Sequence, residues 1–313
     1  MSHPVADAQR GTAGTRGRKR ALTLEERKGR IGWVFLTPTL LVVAFVALWP
    51  LLQTIYQSFT DARLASAKPV KFIGLKNYAF LIKDAAFGHS IVVTVEFTII
   101  TVFFELVLGM IIALVINSNF KGRDLMRTAM LIPWAIITVV SAQMWKWMYN
   151  DTYGVINDFL VNKIHVLSHP VAFIAERSTS VPAIAAVDIW KTTPFMALLL
   201  LAGLQVIPGD VYEAAYIDGA NKVQQFFRIT FPLLRPAILV ALIFRTLDAL
   251  RVFDVFFVMF GARPDTMSMA VYAQQNLVNF SDLGYGSTIS IAIFAIIAIF
   301  VIAYVSIFKV EEA

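Results

Sequence analysis

Six apolar runs, each of about 20 residues or more, constrain this chain more than any other feature. They fall at 32–58, 88–117, 128–149, 181–207, 237–260 and 287–309. A helix of about 20 apolar residues crosses a hydrocarbon core of about 30 Å. Backbone groups in lipid have no water to bond, so such runs must satisfy themselves as helices. The expected fold is all-α and membrane-integral, with six transmembrane helices. Composition agrees: 58% of the 313 residues are hydrophobic and 15% charged, too little polar surface for a soluble domain of this length. The first run is too long for a signal-peptide core and shows no clear cleavage site, so it reads as a retained span.

The formal charge of +6 comes largely from one tail. Arg10, Arg16, Arg18, Lys19, Arg20, Arg27, Lys28 and Arg30 face only Asp7, Glu25 and Glu26. A basic tail beside a first span is an orientation signal that also touches anionic lipid headgroups, so nucleic acid is not the expected partner. Residues 1–30 are expected to form this cytoplasmic tail and 31–310 the six-helix domain. Six spans then put both termini in the cytoplasm. The loop 59–87, with Arg63, Lys68, Lys71, Lys76 and Lys83, departs from the trend on the outside.

No metal or redox chemistry is expected. There is no Cys, which removes disulfides and thiolate sites. His165 and His169 sit four apart, but Pro170 follows at once and disfavours a helix there. No Gly-Lys-Ser/Thr phosphate loop is present, so this chain needs no nucleotide cofactor of its own.

The loop at about 208–236, between the fourth and fifth runs, has a local logic. Pro208-Gly209-Asp210 predicts a helix from Val211, with Asp210 as cap and Glu213 three residues later as a capping box. Gly219 predicts its end. Asn221, with Gln224 three residues on, predicts a second cap. Val223, Phe226, Phe227 and Phe231 then give an apolar stripe, which Pro232 is expected to end.

On its own this pattern fits an interfacial hairpin equally well. The residues Glu213-Ala214-Ala215, then Gly219, Ile229 and Pro232, resemble the cytoplasmic loop signature of ABC importer permeases, with Phe231 where Leu is usual. The resemblance implies a type I importer permease fold whose coupling helix docks into a cleft on a cytoplasmic ATPase. It implies two ATPase subunits that carry the ATP and Mg, and a second related permease. It also implies an extracytoplasmic binding protein and a bacterial cell-membrane location. The chain itself is then a transport subunit and not an enzyme.

Three further stretches resemble the sugar branch of that family. They are Phe72–Tyr78, Trp190–Phe195 and Phe244–Ala249, and they are most similar to permeases of trehalose and maltose importers. The large external insertion of the bigger maltose permease is missing. The resemblance implies a disaccharide such as trehalose or maltose as cargo. An importer of another polar solute (an amino acid, polyamine or osmolyte) and an ion-coupled secondary transporter stay open as alternatives.

Charges deep in a span are costly and tend to face a cavity or a partner. The fifth run carries Arg245, Asp248, Arg251 and Asp254, each three residues from the next and alternating in sign, so neighbours can pair along the helix. The fourth carries Asp188, Trp190 and Lys191, then Pro194 as an expected kink. Asp188, Lys191, Arg245, Asp248 and Arg251 are the candidate pathway residues, with Trp190 as the face for a sugar ring. Mutual neutralisation between helices is the competing reading of these charges. Glu96 and Glu105, nine apart on opposite faces, cannot form one site, and for them neutralisation between helices, without contact to the substrate, is the expected reading. Trp145 and Trp147 are expected at the membrane interface, with Lys146 reaching toward it.

Overall fold

The computed structural model describes residues 24–307. The chain divides into two compact units, Met1–Leu52 and Gln53–Ala313. In the first, α1 (Leu24–Val43) contains Pro38 and leads into a π-helical turn, Ala44–Leu48. Most of the basic tail expected at 1–30 lies outside the described residues. α2 (Trp49–Ser58) ends the first apolar run.

The second unit, from Gln53, takes in the last part of α2, loop 59–75 and a short helix, α3 (Lys76–Lys83). α4 (Ala85–Asn117) is the longest element, at 33 residues. Asp84 caps it, accepting from the N–H groups of Ala86 at 3.0 Å and Phe87 at 3.4 Å. The same carboxylate accepts the hydroxyls of Tyr272 and Tyr285. Burial acts to raise the pKa of Asp84, but these four bonds outweigh it and hold the acid below its ordinary range. Burial, followed by the bond to Asp84, pushes Tyr272 up to about 12.

The third apolar run is not one straight span. α5 (Arg123–Ala129) and α6 (Ile132–Ala135) meet α7 (Thr138–Met148) at a bend of 86°. Pro133 opens α6, and Ile136 and Ile137 are extended, each with ψ 135. The sequence expectation of six spans holds when this bent pair counts as one. Among the described residues five other helical stretches are long and apolar enough to cross a membrane.

α8 (Val155–Asn157) runs into a π turn, Asp158–Lys163. α9 (Arg177–Leu204) continues through Pro182 and Pro194, so the expected kink does not interrupt the helix. After α10 (Gly209–Ile217) and α11 (Lys222–Gln225), a π turn at Phe226–Thr230 leads directly into α12 (Phe231–Leu250). The fifth run is broken at 251–253 and resumes as α13 (Asp254–Phe260). α14 (Met269–Gln274), a π turn at Gln275–Asn279 and α15 (Leu283–Ile307) complete the order. Among the described residues no strand forms, only the isolated bridges Thr60–Phe72 and Arg63–Asp282.

α4, α9 and α12 pack on one another at the centre. Lipid removes most of the hydrophobic drive between helices, so close approach and van der Waals contact must hold them. A methyl on Gly203 of α9 would meet the Ala237 side chain of α12 at 2.4 Å. One on Gly109 of α4 would meet Met196 of α9 at 2.8 Å. Small residues are therefore what lets these backbones touch.

The buried side chains form two apolar clusters. One gathers Phe97, Ile184, Phe256, Met269 and Ile289. The other gathers Met110, Met196, Leu200, Leu234 and Ile238. Along each of the three central helices buried polar residues lie between these clusters: Thr101 and Glu105, Asp188 and Thr193, Arg245 and Thr246. A polar layer thus lies between two dry ones.

Candidate functional site

Two regions carry the candidate residues. The first is the elbow between α9 and α12. α10 starts two residues earlier than the sequence predicts, at Gly209, with Pro208 at the cap position and no side-chain cap bond. Asp210 lies inside the first turn and accepts only from the Val211 N–H, at 3.0 Å. The capping box with Glu213 therefore does not form. Asp210 still favours the helix by facing the positive end of its dipole.

The exit from α10 is a Schellman turn. Ala220 N–H bonds Ala215 O at 2.9 Å and Gly219 N–H bonds Tyr216 O at 3.0 Å. Gly219 has φ +79, a conformation that costs a residue with a Cβ more than it costs glycine. The second expected cap is present in full. Asn221 Oδ1 accepts from Gln224 N, and Gln224 Oε1 accepts from Asn221 N, both at 2.9 Å. Tyr212 and Thr230 share a hydroxyl–hydroxyl bond at 3.0 Å, closing the elbow on itself.

Glu213, Ala214 and Gly219 are exposed, while Ala215, Ile229 and Pro232 are half-buried. Tyr216, Ile217, Val223 and Phe227 are also exposed, at 64–83%. The elbow thus presents a carboxylate beside small and apolar groups. Pro232 does not end the second helix as expected. It sits in the first turn of α12, and the wider π turn lies where its ring would press on the carbonyl of Arg228.

The second region is the polar layer. Arg245 of α12 is 3% exposed and Glu105 of α4 is fully buried. The guanidinium donates through Nε to Glu105 Oε2 and through Nη2 to Glu105 Oε1, the latter at 3.0 Å. It also donates through Nη2 to Asp188 Oδ2 of α9, and through Nη1 to Asp248 Oδ2 at 3.2 Å. Thr192 Oγ1 donates to Glu105 Oε1 at 2.5 Å. Arg245 is therefore held by carboxylates on three helices at once, with four of its five N–H donors used. A buried ion cluster of this kind is tolerated only when nearly every donor and acceptor is used.

Glu105 has the interhelical partner that the neutralisation reading requires. It is the innermost partner of Arg245, a contact spanning 140 residues of sequence. Glu96 is exposed on α4, on the face opposite. The spacing along the fifth run does produce the expected chain of pairs, since Asp248 also accepts from Arg251 at 3.4 Å. The break at 251–253 separates Asp254 from that stripe.

Lys191 is buried but joins no ion pair among the described residues. Its Nζ donates to the carbonyls of Ile136 at 2.7 Å and Trp134 at 3.3 Å. Those carbonyls belong to the bend of the third run. Trp190 does not line the adjoining cavity. Its ring packs edge-on against Trp145, with centroids 5.6 Å apart. Trp147 is exposed, whereas Lys146 turns inward and donates to Val258 O at 3.0 Å. His165 and His169 are exposed, and among the described residues no cluster suits a metal ion.

Beside the ion cluster is a cavity of about 350 Å³, bordered by Trp134, Lys191, Asp248, Arg251 and Asp254, with Asp188 and Arg245 at its back. A smaller one of about 250 Å³ adjoins it and shares Trp134, Arg245, Asp248 and Arg251. The first falls in the size range of small-molecule sites, about 300–1,000 Å³. Its lining offers carboxylate acceptors, guanidinium donors and one large aromatic ring.

The chain is similar to known proteins in sequence and in fold. A family model described as "Binding-protein-dependent transport system inner membrane component" matches residues 105–310. The chain is 42% identical over 287 residues to the trehalose/maltose transport system permease protein MalF of Thermococcus litoralis, covering 91% of this chain and 95% of that protein. It is 38% identical to the sulfoquinovosyl glycerol transport system permease protein SmoG of Agrobacterium fabrum, covering 89% and 90%. In fold it is similar to a chain of a bacterial ABC transporter involved in the import of the acidic polysaccharide alginate. That match has a TM-score of 0.79 at 21% identity and covers 92% of this chain and 98% of the other.

Proposed function

Because this chain belongs to the binding-protein-dependent transport system inner membrane component family, we propose that it is the permease subunit that carries a disaccharide, trehalose or maltose, through an ATP-driven importer. The family is one of transport subunits, so the ion-coupled alternative falls. The cargo reading is supported by the names of the relatives and by the balance of charge in the cavity. Asp188, Asp248 and Asp254 face Lys191, Arg245 and Arg251, which leaves no surplus cation for an anionic saccharide. A neutral sugar needs the donors and acceptors but not a net field.

The observation that carries the mechanism is the exposed elbow. Glu213 projects from a short helix bounded by a Schellman turn and a capping box, so it is held rigidly and yet free of ion pairs among the described residues. Such a knob suits a preformed cleft on an ATPase. In this reading two ATPase subunits bind ATP and Mg, a second permease completes the pathway, and an external binding protein delivers the sugar. This chain holds no cofactor. Both termini face the cytoplasm, following the basic tail.

The test is reconstitution of the complex in proteoliposomes with its ATPase and binding protein, measuring ATP hydrolysis as each disaccharide is supplied. Trehalose or maltose is expected to stimulate it. Glu213→Lys is expected to bring uptake to background while the protein still inserts at its normal level. Normal uptake in that variant would sink the coupling role, and stimulation only by a non-sugar solute would sink the cargo.

A further inference from the structure

We propose that Trp134 is the platform on which a pyranose ring of the cargo stacks, and that Lys191 is the positioning residue that holds it there; the inference rests on the sugar reading above. Trp134 stands in α6, next to the 86° bend of the third run. Its indole stacks on Phe195 of α9, with centroids 6.0 Å apart and planes 9° from parallel. That contact fixes the ring plane. Yet Trp134 remains 47% exposed and borders both cavities beside the ion cluster.

The groups that share this border are the ones a sugar requires. Asp248 and Arg251 have exposed side chains, 58% and 71%, and bond each other only at 3.4 Å. They can exchange that pair for hydroxyl groups, while Arg245 behind them holds Glu105 and Asp188 and reaches Asp248 at 3.2 Å. An aromatic face beside a carboxylate and a guanidinium meets the apolar C–H face and the hydroxyl edge of a pyranose together.

The lysine explains why the ring stays in place. α6 ends at Ala135, so the carbonyls of its last turn have no following helical N–H groups to accept from. Lys191 supplies the donor, from α9, to Trp134 O and Ile136 O. A cation is also the favoured charge at a helix C-terminus. The bend is therefore tied to α9 at two points, Lys191 on its backbone and Phe195 on the indole.

The test uses the reconstituted complex with its binding protein and radiolabelled trehalose and maltose, reading sugar uptake and ATP hydrolysis in the same vesicles. Trp134→Ala is expected to keep stimulated ATP hydrolysis and lower sugar moved per ATP by about tenfold. Trp134→Phe should lose less, and Trp190→Ala should match wild type. Lys191→Met should reproduce the loss, and Lys191→Arg, which keeps the donors, should restore most of it. Wild-type sugar per ATP in Trp134→Ala, or an equal loss in Trp190→Ala, would overturn the platform alone. Failure of the wild-type complex to move either sugar would overturn the sugar reading and the platform with it.

Discussion

The elbow and the polar layer are built in opposite ways from similar materials. Both use carboxylates, amides and hydroxyls at helix ends or faces. In the elbow every defining bond lies within five residues of its partner, apart from the Tyr212–Thr230 tie. In the polar layer Arg245 reaches Asp188 across 57 residues and Glu105 across 140. The first is a surface device whose groups stay hydrated and whose shape is set locally. The second is a desolvated junction whose stability depends on all three helices arriving together. A change in the elbow should therefore spoil function before folding, and a change in the layer should do the reverse.

Arg245→Ala tests that contrast most severely. It leaves Glu105 and Asp188 buried without their cation, a loss of about 3–5 kcal/mol. The expected outcome is a sharp fall in membrane abundance and in the thermal midpoint of the purified protein. A stable Arg245→Ala protein would place the junction among the hydrated regions and erase the difference. Gly219→Val is the counterpart in the elbow. A β-branched residue at φ +79 costs about 1–2 kcal/mol or more of local backbone strain. Uptake is expected to fall to background while the thermal midpoint moves far less than in Arg245→Ala.

Asn221→Ala sharpens the point further. It removes one cap and should cost about 1 kcal/mol, read as a severalfold loss of coupled uptake with normal membrane abundance. Arg251→Gln is the smallest expected change. Its exposed pair with Asp248 contributes about 0–1 kcal/mol, so the thermal midpoint should barely move. A shift as large as that of Arg245→Ala would assign Arg251 to the buried junction.

Local encoding also decides what could be read from the chain. The Asn221–Gln224 box, the Gly219 turn and the Arg245–Asp248–Arg251 stripe depend on spacing alone, and all three are present. The misplaced cap at Asp210 was a matter of two positions: Pro208 starts the turn early, and the carboxylate ends up inside the helix. Glu105 was harder. Its position nine residues from Glu96 excluded a shared site correctly, but spacing along one helix says nothing about a guanidinium on another. The usable signal was its depth in an apolar run, where a lone acid demands a partner. The bend of the third run had a signal too, in Pro133 followed by two extended isoleucines. Hydropathy averaged over a window hides such a break. Trp190 misled because an aromatic beside Asp188 and Lys191 in sequence points a different way in space, toward Trp145.

The helical stretch from Lys222 to Leu250 runs without a loop from the elbow to the polar layer, so it can act as a single lever. A pivot for such a lever is the tight contact of Ala237 with Gly203. At about 1.5 Å per residue, Lys222 lies about 22 Å to one side and Asp248 about 16 Å to the other. A push that carried the elbow about 4 Å would swing Asp248 about 3 Å the opposite way. That is comparable to the length of the hydrogen bonds it makes to Arg245 and Arg251. Nothing between the two regions need unfold or rearrange for a movement at one to undo the contacts of the other.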